Sequence, residues 1–300
     1  MQLGAVFPTT EIGRDPGAIR EFASGVEELG FDHLIAYDHV LGAQRTDRAR
    51  RLDGPYDDSV EFHEPFVLFG HLAGVTERLG LVIGVLVAPQ RQTALVAKQA
   101  AEVEMLSRGR LRLALGTGWN WVEYESLGAD FERRGSVLDE QVTVLRRLWS
   151  EPVVTFDGEF HRIDRAGIRP RPDRSIPLWF GGYADVALRR TAVMGDGHLF
   201  GHLHTEIGGR ARRLRELVAE AGRPSTDVGV EAIVDTGDDP DEFIRAATEW
   251  CDAGGTHLSL RTMAAAGSSG TVHRDVDSHL RTLERHLRVL RENGLAETAR

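Results

Sequence analysis

Short apolar runs alternate with amphipathic stretches along the whole chain. Runs of three to seven mostly apolar or β-branched residues, several closed by Gly or Pro, predict strands, and apolar residues at helical spacing predict helices. The predicted strands cover residues 3–7, 33–36, 81–87, 111–115, 178–180, 198–200, 228–234 and 257–260. The predicted helices cover residues 19–29, 93–106, 137–149, 185–194, 210–221, 241–253 and 276–293.

This alternation predicts a parallel sheet, because parallel strands need a crossover connection that a helix usually supplies. Eight strand–helix units in a chain of 300 residues favour a closed barrel over an open, doubly wound sheet. No segment rich in Pro, Gly or Ser divides the units. We therefore predict an α/β fold, a (β/α)8 TIM barrel, formed by one domain over residues 1–300.

Two insertions interrupt the alternation. Residues 42–60 are polar and densely charged, and they are too long for an ordinary loop between a strand and a helix. They are either a lid over a binding site or a solvated loop. Residues 153–162 alternate in polarity around an Asp-Gly pair, which predicts a β-hairpin.

Charge excludes some partners. The chain has 36 basic and 46 acidic residues, a net charge of −10, and Lys98 is its single Lys. Nucleic acids and anionic membranes need a positive excess, so neither is expected as a partner. Cys251 is the only cysteine, which excludes an intrachain disulfide. The chain has no long apolar run and no basic leader, so we expect a cytoplasmic protein.

In a barrel the chemistry belongs at the carboxyl ends of the strands, and the second predicted strand runs into Asp38 and His39. A histidine can act as acid or base near neutral pH, and an adjacent carboxylate can set its orientation. The alternative is a structural histidine in a loop.

Glycines mark the next two strand ends. Gly84 interrupts the third strand, which indicates a bulge or the close approach of a ligand. The fourth strand ends in a stretch containing Thr117, Gly118 and Trp119, which offers a hydroxyl, a close backbone and a flat ring. It matches neither the GxGxxG fingerprint nor a P-loop.

The fifth strand ends in Gly181, Gly182 and Tyr183 and leads directly into a helix. A Gly pair at a helix N-terminus exposes backbone N–H groups beside the positive end of the helix dipole, which suits a phosphate. A plain tight turn is the alternative. No GxSxG or HExxH motif occurs, and His202 and His204 are the nearest approach to a metal pair, so no metal is expected.

Taken together, the segments resemble the luciferase-like monooxygenase superfamily, and in particular its oxidoreductases that use flavin or deazaflavin. The similarity lies in segments that occur in family order over about residues 1–200. They are Glu28-Leu-Gly-Phe-Asp-His, Tyr37-Asp-His, Gly84-Val-Leu-Val-Ala-Pro, Ala97-Lys-Gln-Ala, Leu106-Ser-Arg-Gly-Arg-Leu, Gly116-Thr-Gly-Trp-Asn, Phe131-Glu-Arg-Arg-Gly, Ile176-Pro-Leu-Trp-Phe-Gly-Gly and Gly195-Asp-Gly.

The resemblance implies a barrel that binds coenzyme F420 or FMN at its carboxyl-end face, and a homodimer. It implies that Asp38 and His39 lie by the cofactor ring, with His39 as acid or base. A cis peptide between Gly84 and Val85 is implied behind the ring. The cofactor-binding set is completed by Thr117, Gly118 and Trp119 at the ring and by Gly181, Gly182 and Tyr183 at the phosphate.

We therefore expect an F420-dependent oxidoreductase that transfers a hydride to or from a small organic substrate. One alternative is an FMN-dependent monooxygenase that activates O2, and another is a non-catalytic flavin- or F420-binding protein. The segment Gly201-His-Leu-His departs from the family pattern, so phosphate contacts there are in doubt. With one Lys in the chain, cations for a phosphate must come from Arg or from backbone N–H groups.

Overall fold

Ten strands and nine helices are found in the part of the chain that the structure, a computed structural model, describes: residues 1–202, 206–237, 239–263 and 275–296. The strands are β1 (Gln2–Val6), β2 (His33–Ala36), β3 (Gly80–Val87), β4 (Leu111–Gly116), β5 (Val154–Asp157), β6 (Arg162–Ala166), β7 (Leu178–Gly181), β8 (Gly197–Phe200), β9 (Gly229–Asp235) and β10 (His257–Arg261). The helices are α1 (Pro16–Leu29), α2 (Pro65–Ala73), α3 (Thr93–Leu106), α4 (Trp121–Ser126), α5 (Arg134–Ser150), α6 (Asp185–Met194), α7 (Ile207–Glu220), α8 (Pro240–Asp252) and α9 (Val276–Glu292).

Eight of the strands close a parallel barrel in the order β1-β10-β9-β8-β7-β4-β3-β2. All eight were predicted from apolar runs, and the predicted TIM barrel is confirmed. Each strand is buried on both sides, by the barrel interior and by the surrounding helices, which explains why apolar residues dominate both faces of the strands. No helix in the described ranges is long and apolar enough to cross a membrane.

The predicted hairpin is confirmed, with a longer turn and a longer second strand. Strands β5 and β6 pair in antiparallel fashion, and Asp157 lies opposite Arg162, so that four residues form the turn. The carboxylate of Glu140 on α5 fixes this turn, because it accepts hydrogen bonds from the backbone N–H groups of Phe160 and His161. The turn is therefore built around a contact from outside the hairpin, which local pattern does not contain.

Helix α2 is the main element that the hydrophobic periodicity does not predict. Its sequence, PFVLFGHLA, is apolar on nearly every side, and six of its nine residues are buried. A helix of this kind has no amphipathic stripe to detect. Glu64 caps its N-terminus by accepting a hydrogen bond of 2.8 Å from the backbone N–H of Val67.

The barrel interior is layered. At the amino-terminal end Glu231 accepts hydrogen bonds from His33 and Ser259, both at 2.6 Å, and from Arg112 at 2.5 Å. The guanidinium of Arg112 also lies 4.0 Å above the ring of Trp179. An apolar layer follows toward the carboxyl ends, formed by Val6, Ile35, Val82, Ala114, Leu199 and Ile233. The third layer is the mouth of the barrel.

Candidate active site

Val85, at an irregularity in β3, forms the floor of the mouth. The register between β3 and β4 shifts between Gly84 and Leu86, and the peptide bond between Gly84 and Val85 is cis, as the resemblance implies. A Cβ atom added to Gly116 would lie 2.6 Å from Val85, and one added to Gly181 would lie 2.3 Å from it. These two positions therefore need glycine so that Val85 can lie between them, forming an apolar platform.

His39 lies at this mouth in an aromatic surround. Its side chain is 12% exposed, and its ring centroid is 5.4 Å from that of Tyr56, 4.7 Å from that of Phe62 and 5.7 Å from that of Trp119. Its Nδ1 atom lies 3.4 Å from Oε2 of Glu123. The carboxylate thus orients the ring by one nitrogen and leaves Nε2 for a ligand.

Glu123 is a site residue that sequence reasoning missed. It is 1% exposed, and it accepts hydrogen bonds from the backbone N–H groups of Val40 and of Leu41, the latter at 3.1 Å. Burial alone would raise the pKa of Glu123, but the hydrogen bonds from His39 and these amides outweigh it and lower the pKa. Glu123 lies three residues after Asn120, which caps α4, and an Asn-x-x-Glu pattern at a helix start was the available signal.

Asp38 is held below the surface of the mouth. Its side chain is fully buried, and it accepts hydrogen bonds from the backbone N–H of Val87 at 2.9 Å and from Nε of Arg91 at 3.2 Å. Arg91 also donates to Glu64 at 2.9 Å. Burial would lower the pKa of Arg91, but the two carboxylates raise it. Asp38 therefore fastens the end of β2 to the end of β3 directly at Val87, and Arg91, which sequence reasoning missed, is its charged partner.

Thr117, Gly118 and Trp119 lie in the loop between β4 and α4, at the mouth. Gly118 has a φ of +62°, which turns the chain between its neighbours. The carbonyl oxygen of Thr117 accepts a hydrogen bond of 2.7 Å from Tyr124, and Trp119 lies beside His39. Gly54, from the inserted segment 42–60, packs directly on the ring of Trp119.

A cavity adjoins the Val85 platform at Gly181. It has a volume of about 330 Å³ and is lined by Thr117, Gly181, Gly182 and Tyr183 together with Arg134. The Nε atom of Arg134 is buried and has no hydrogen-bond partner among the described residues. The cavity thus offers a cation with an unused donor, in a protein whose single Lys lies elsewhere on α3.

His198 positions the loop at Gly182, which lines this cavity. Gly182 has a φ of +129°, and its carbonyl oxygen accepts a hydrogen bond of 2.8 Å from Nε2 of His198. Nδ1 of His198 lies 2.7 Å from the hydroxyl of Thr191, and burial lowers the pKa of His198 to about 4. The ring is therefore neutral with its proton on Nε2. Helix α6 begins next to the loop without a side-chain cap, so that its first N–H groups stay available.

One ion pair lies in the segment that follows β8: Nδ1 of His202 is 3.3 Å from Oδ2 of Asp235. Residues 203–205, and with them His204, lie outside the described residues. No cluster of His, Cys, Asp or Glu in the described part of the chain could hold a metal ion.

The mouth fits a flat ring with a phosphate-bearing tail. Val85 supplies an apolar platform of the kind a ring system needs, His39 follows the neighbouring strand β2, and the cavity at Arg134 and Gly182 offers donors for a phosphate. A barrel with an oriented imidazole at such a mouth has the form of a cofactor-dependent enzyme.

The chain matches the luciferase-like monooxygenase family over residues 1–298. It belongs to that family, whose members are oxidoreductases. An uncharacterized protein of Mycobacterium tuberculosis is 39% identical over 212 residues, which cover 69% of this chain and 71% of that protein. The pyrimidine monooxygenase RutA of Pantoea ananatis is 31% identical over 219 residues, 69% of this chain and 59% of RutA.

Among solved structures, an F420-dependent secondary alcohol dehydrogenase in complex with an F420–acetone adduct superposes with a TM-score of 0.77 at 18% identity. The superposition covers 99% of both chains. At that identity the likeness extends to the fold.

Proposed function

We propose that this chain is a single-domain F420-dependent oxidoreductase that transfers a hydride between the deazaflavin and a small organic substrate. The observation that carries the proposal is the His39–Glu123 pair, at the same end of the barrel as the Val85 platform. Hydride transfer to a carbonyl carbon, or from an alcohol carbon, requires a proton to move at the oxygen, and this pair supplies the group that moves it.

The role of His39 follows from its hydrogen bond. Because Glu123 accepts from Nδ1, the neutral ring carries its proton there, and Nε2 is free to take the hydroxyl proton of an alcohol. In the reverse direction the imidazolium gives that proton to the carbonyl oxygen. The bound cofactor supplies the hydride acceptor or donor. The aromatic rings around His39 limit the access of water.

The remaining predicted residues are proposed to hold the cofactor. Gly84 and Val85 would support the ring, with Thr117, Gly118 and Trp119 at its edge. Gly181, Gly182 and Tyr183, together with Arg134, would contact the phosphate. Asp38 is buried behind the mouth, so we propose that it acts by positioning the end of β2.

An FMN-dependent monooxygenase is the second candidate function. The observation that favours it is the 31% identity to a pyrimidine monooxygenase. The same platform and cavity fit FMN, because the two cofactors share a flat ring system and a phosphate.

Titration with FMN and with F420, followed by absorbance and fluorescence, tests the assignment. Binding of neither cofactor would overturn it. Turnover that continues without O2 supports hydride transfer with F420, whereas turnover that stops without O2 supports the monooxygenase. Tight cofactor binding without any substrate-dependent change in cofactor absorbance, over a broad panel of substrates, identifies a non-catalytic binding protein.

We also propose that the protein is a cytoplasmic homodimer. Leu95 and Leu106 on α3 are 52% and 59% exposed, and Val67 on the adjacent α2 is 71% exposed, so that apolar surface lies on neighbouring helices. Burial of such a face stabilises an assembly. Light scattering coupled to gel filtration measures the mass, and a monomer at micromolar concentration contradicts this proposal.

A further inference from the structure

A second polar group lies at the mouth, on the side of β9 and β10. Asp235 and Arg261 end these two strands, lie opposite each other in register, and form a two-bond ion pair. Nε of Arg261 is 2.5 Å from Oδ1 of Asp235, and Nη2 is 2.8 Å from Oδ2. Among the described residues, Nη1 of Arg261 makes no hydrogen bond. The pair therefore presents a fixed guanidinium edge with unused N–H groups.

Tyr37 reaches the same place from β2. Side chains alternate across a strand, and Ile35 faces the barrel interior, so Tyr37 faces the interior one level higher. Its hydroxyl is buried, and no group in the described ranges meets it in hydrogen-bond geometry, although Arg261 is close enough to lower its pKa against the effect of burial. A buried polar atom without a partner is rare in native proteins and indicates a ligand or an unseen partner. Burial raises the pKa of Tyr37, so the hydroxyl keeps its proton and can donate.

Tyr56 connects this group to His39. Its ring lies 5.4 Å from the His39 ring, and its pKa is raised by burial and then by Tyr37, which places the two phenols in each other's field. Tyr56 therefore contacts His39 and also lies near enough to Tyr37 and Arg261 for both to act on the pKa of its hydroxyl.

The charges on this side of the mouth are balanced or negative. Asp235 neutralises Arg261, and Glu64 neutralises Arg91, whose other partner Asp38 has a pKa raised by burial. Glu123 adds a buried carboxylate beside His39. An anionic ligand therefore gains little here, whereas an uncharged oxygen acceptor finds donors that have no other partner.

We propose that Tyr37 and Arg261 form a subsite that binds the carbonyl oxygen of an uncharged ligand, with Asp235 holding Arg261 in place. As an assignment of substrate class, it rests on the proposed function. The carbonyl can come from the substrate or from the ring edge of the cofactor, and the two sources are separable by experiment.

The decisive variant is Tyr37→Phe, which removes only the hydroxyl. Because that hydroxyl meets no described protein group in hydrogen-bond geometry and only interacts at longer range with Arg261, the variant should unfold thermally close to the wild-type temperature. Saturation-transfer NMR with cyclohexanone should show binding weakened about three- to tenfold, the value of one neutral hydrogen bond. Arg261→Met should weaken it as much or more, and Arg213→Met, whose guanidinium pairs with Glu216 on an outer helix, should leave it unchanged.

FMN and F420 titrations of Tyr37→Phe identify the source of the carbonyl. Weaker cyclohexanone binding with unchanged cofactor affinity assigns the subsite to the substrate, and weaker cofactor affinity assigns it to the cofactor ring. No change in either, or tighter binding of cyclohexanecarboxylate than of cyclohexanone to the wild type, overturns the proposal. If neither cofactor binds and Tyr37→Phe still weakens cyclohexanone binding, the proposed function fails and the subsite stands.

Discussion

Oε2 of Glu123 lies 3.4 Å from Nδ1 of His39, although the two residues follow different strands and are separated by most of two βα units. Glu123 is buried, and backbone amides beside His39 hold its other oxygen. The carboxylate is therefore fixed before any ligand arrives, and it fixes the imidazole in turn.

His39→Ala should retain cofactor binding and lose turnover by about 100-fold or more, because general acid–base catalysis typically contributes that much. Glu123→Gln keeps the shape but removes the charge, and we expect a loss of about tenfold. Steady-state kinetics at saturating cofactor measures both. Glu125→Gln, exposed on the same helix, is the matched control. Unchanged turnover in His39→Ala with a verified substrate would remove His39 from the mechanism.

Stability should fall in mild acid because of His198. Burial lowers its pKa from 6.5 to about 4, so the unfolded chain binds a proton more readily than the folded one between those values. The contribution is fully present above pH 6.5, is lost as the pH falls toward 4, and amounts to about 3 kcal/mol.

Urea denaturation of His198→Gln at pH 7.5 and at pH 4.5 checks this. The variant should show a smaller difference between the two pH values than the wild type, while His257, with a pKa lowered to about 3, keeps part of the dependence. His71→Asn, at an exposed position, should behave like the wild type. An equal pH dependence in His198→Gln contradicts the assignment.

Gly181→Ala should damage the platform. The new Cβ would lie 2.3 Å from Val85, so Val85 must move, at a cost of about 1–3 kcal/mol. We expect cofactor affinity to fall at least about tenfold. Gly70→Ala, in helix α2 with nothing within 4 Å, should keep cofactor affinity and gain about 0.5–1 kcal/mol. Equal cofactor affinity in the two variants would show that Val85 does not support the ring.

The buried network at the other end of the barrel should behave as a unit. Arg112→Met leaves Glu231 buried without its cation, and removal of one partner of a buried pair typically costs about 3–5 kcal/mol. The double variant Arg112→Met/Glu231→Gln should recover part of that loss. Equilibrium unfolding of both singles and the double measures the coupling. Additive losses would indicate that the two side chains act independently.

The barrel could be predicted from sequence because its signal is local. Apolar residues dominate every barrel strand, and most helices carry one apolar stripe, so each element can be recognised from its own residues. Helix α2 was not predicted because it is apolar on nearly all sides. The length of the hairpin turn was not predicted because a contact from Glu140, on another element, determines it.

The site could be predicted only in part, for the same reason. His39, Gly84 and Gly181 stand at strand ends, where a barrel rule directs attention. Glu123 contacts His39, which lies 84 positions earlier in the chain, and Arg91 contacts Asp38, which lies 53 positions earlier. Such pairings exist only once the barrel has closed.

The apolar layer between the two polar ends has a consequence for proton traffic. In the described residues, Val6, Ile35, Val82, Ala114, Leu199 and Ile233 present only hydrocarbon to one another across the barrel. A proton cannot hop through such a layer, since it has no hydrogen-bonding groups to relay it. In the proposed reaction, a proton that His39 takes or gives must therefore enter or leave through the mouth. Residues 42–60, whose Gly54 packs on Trp119, then help to set how fast that proton exchanges with solvent.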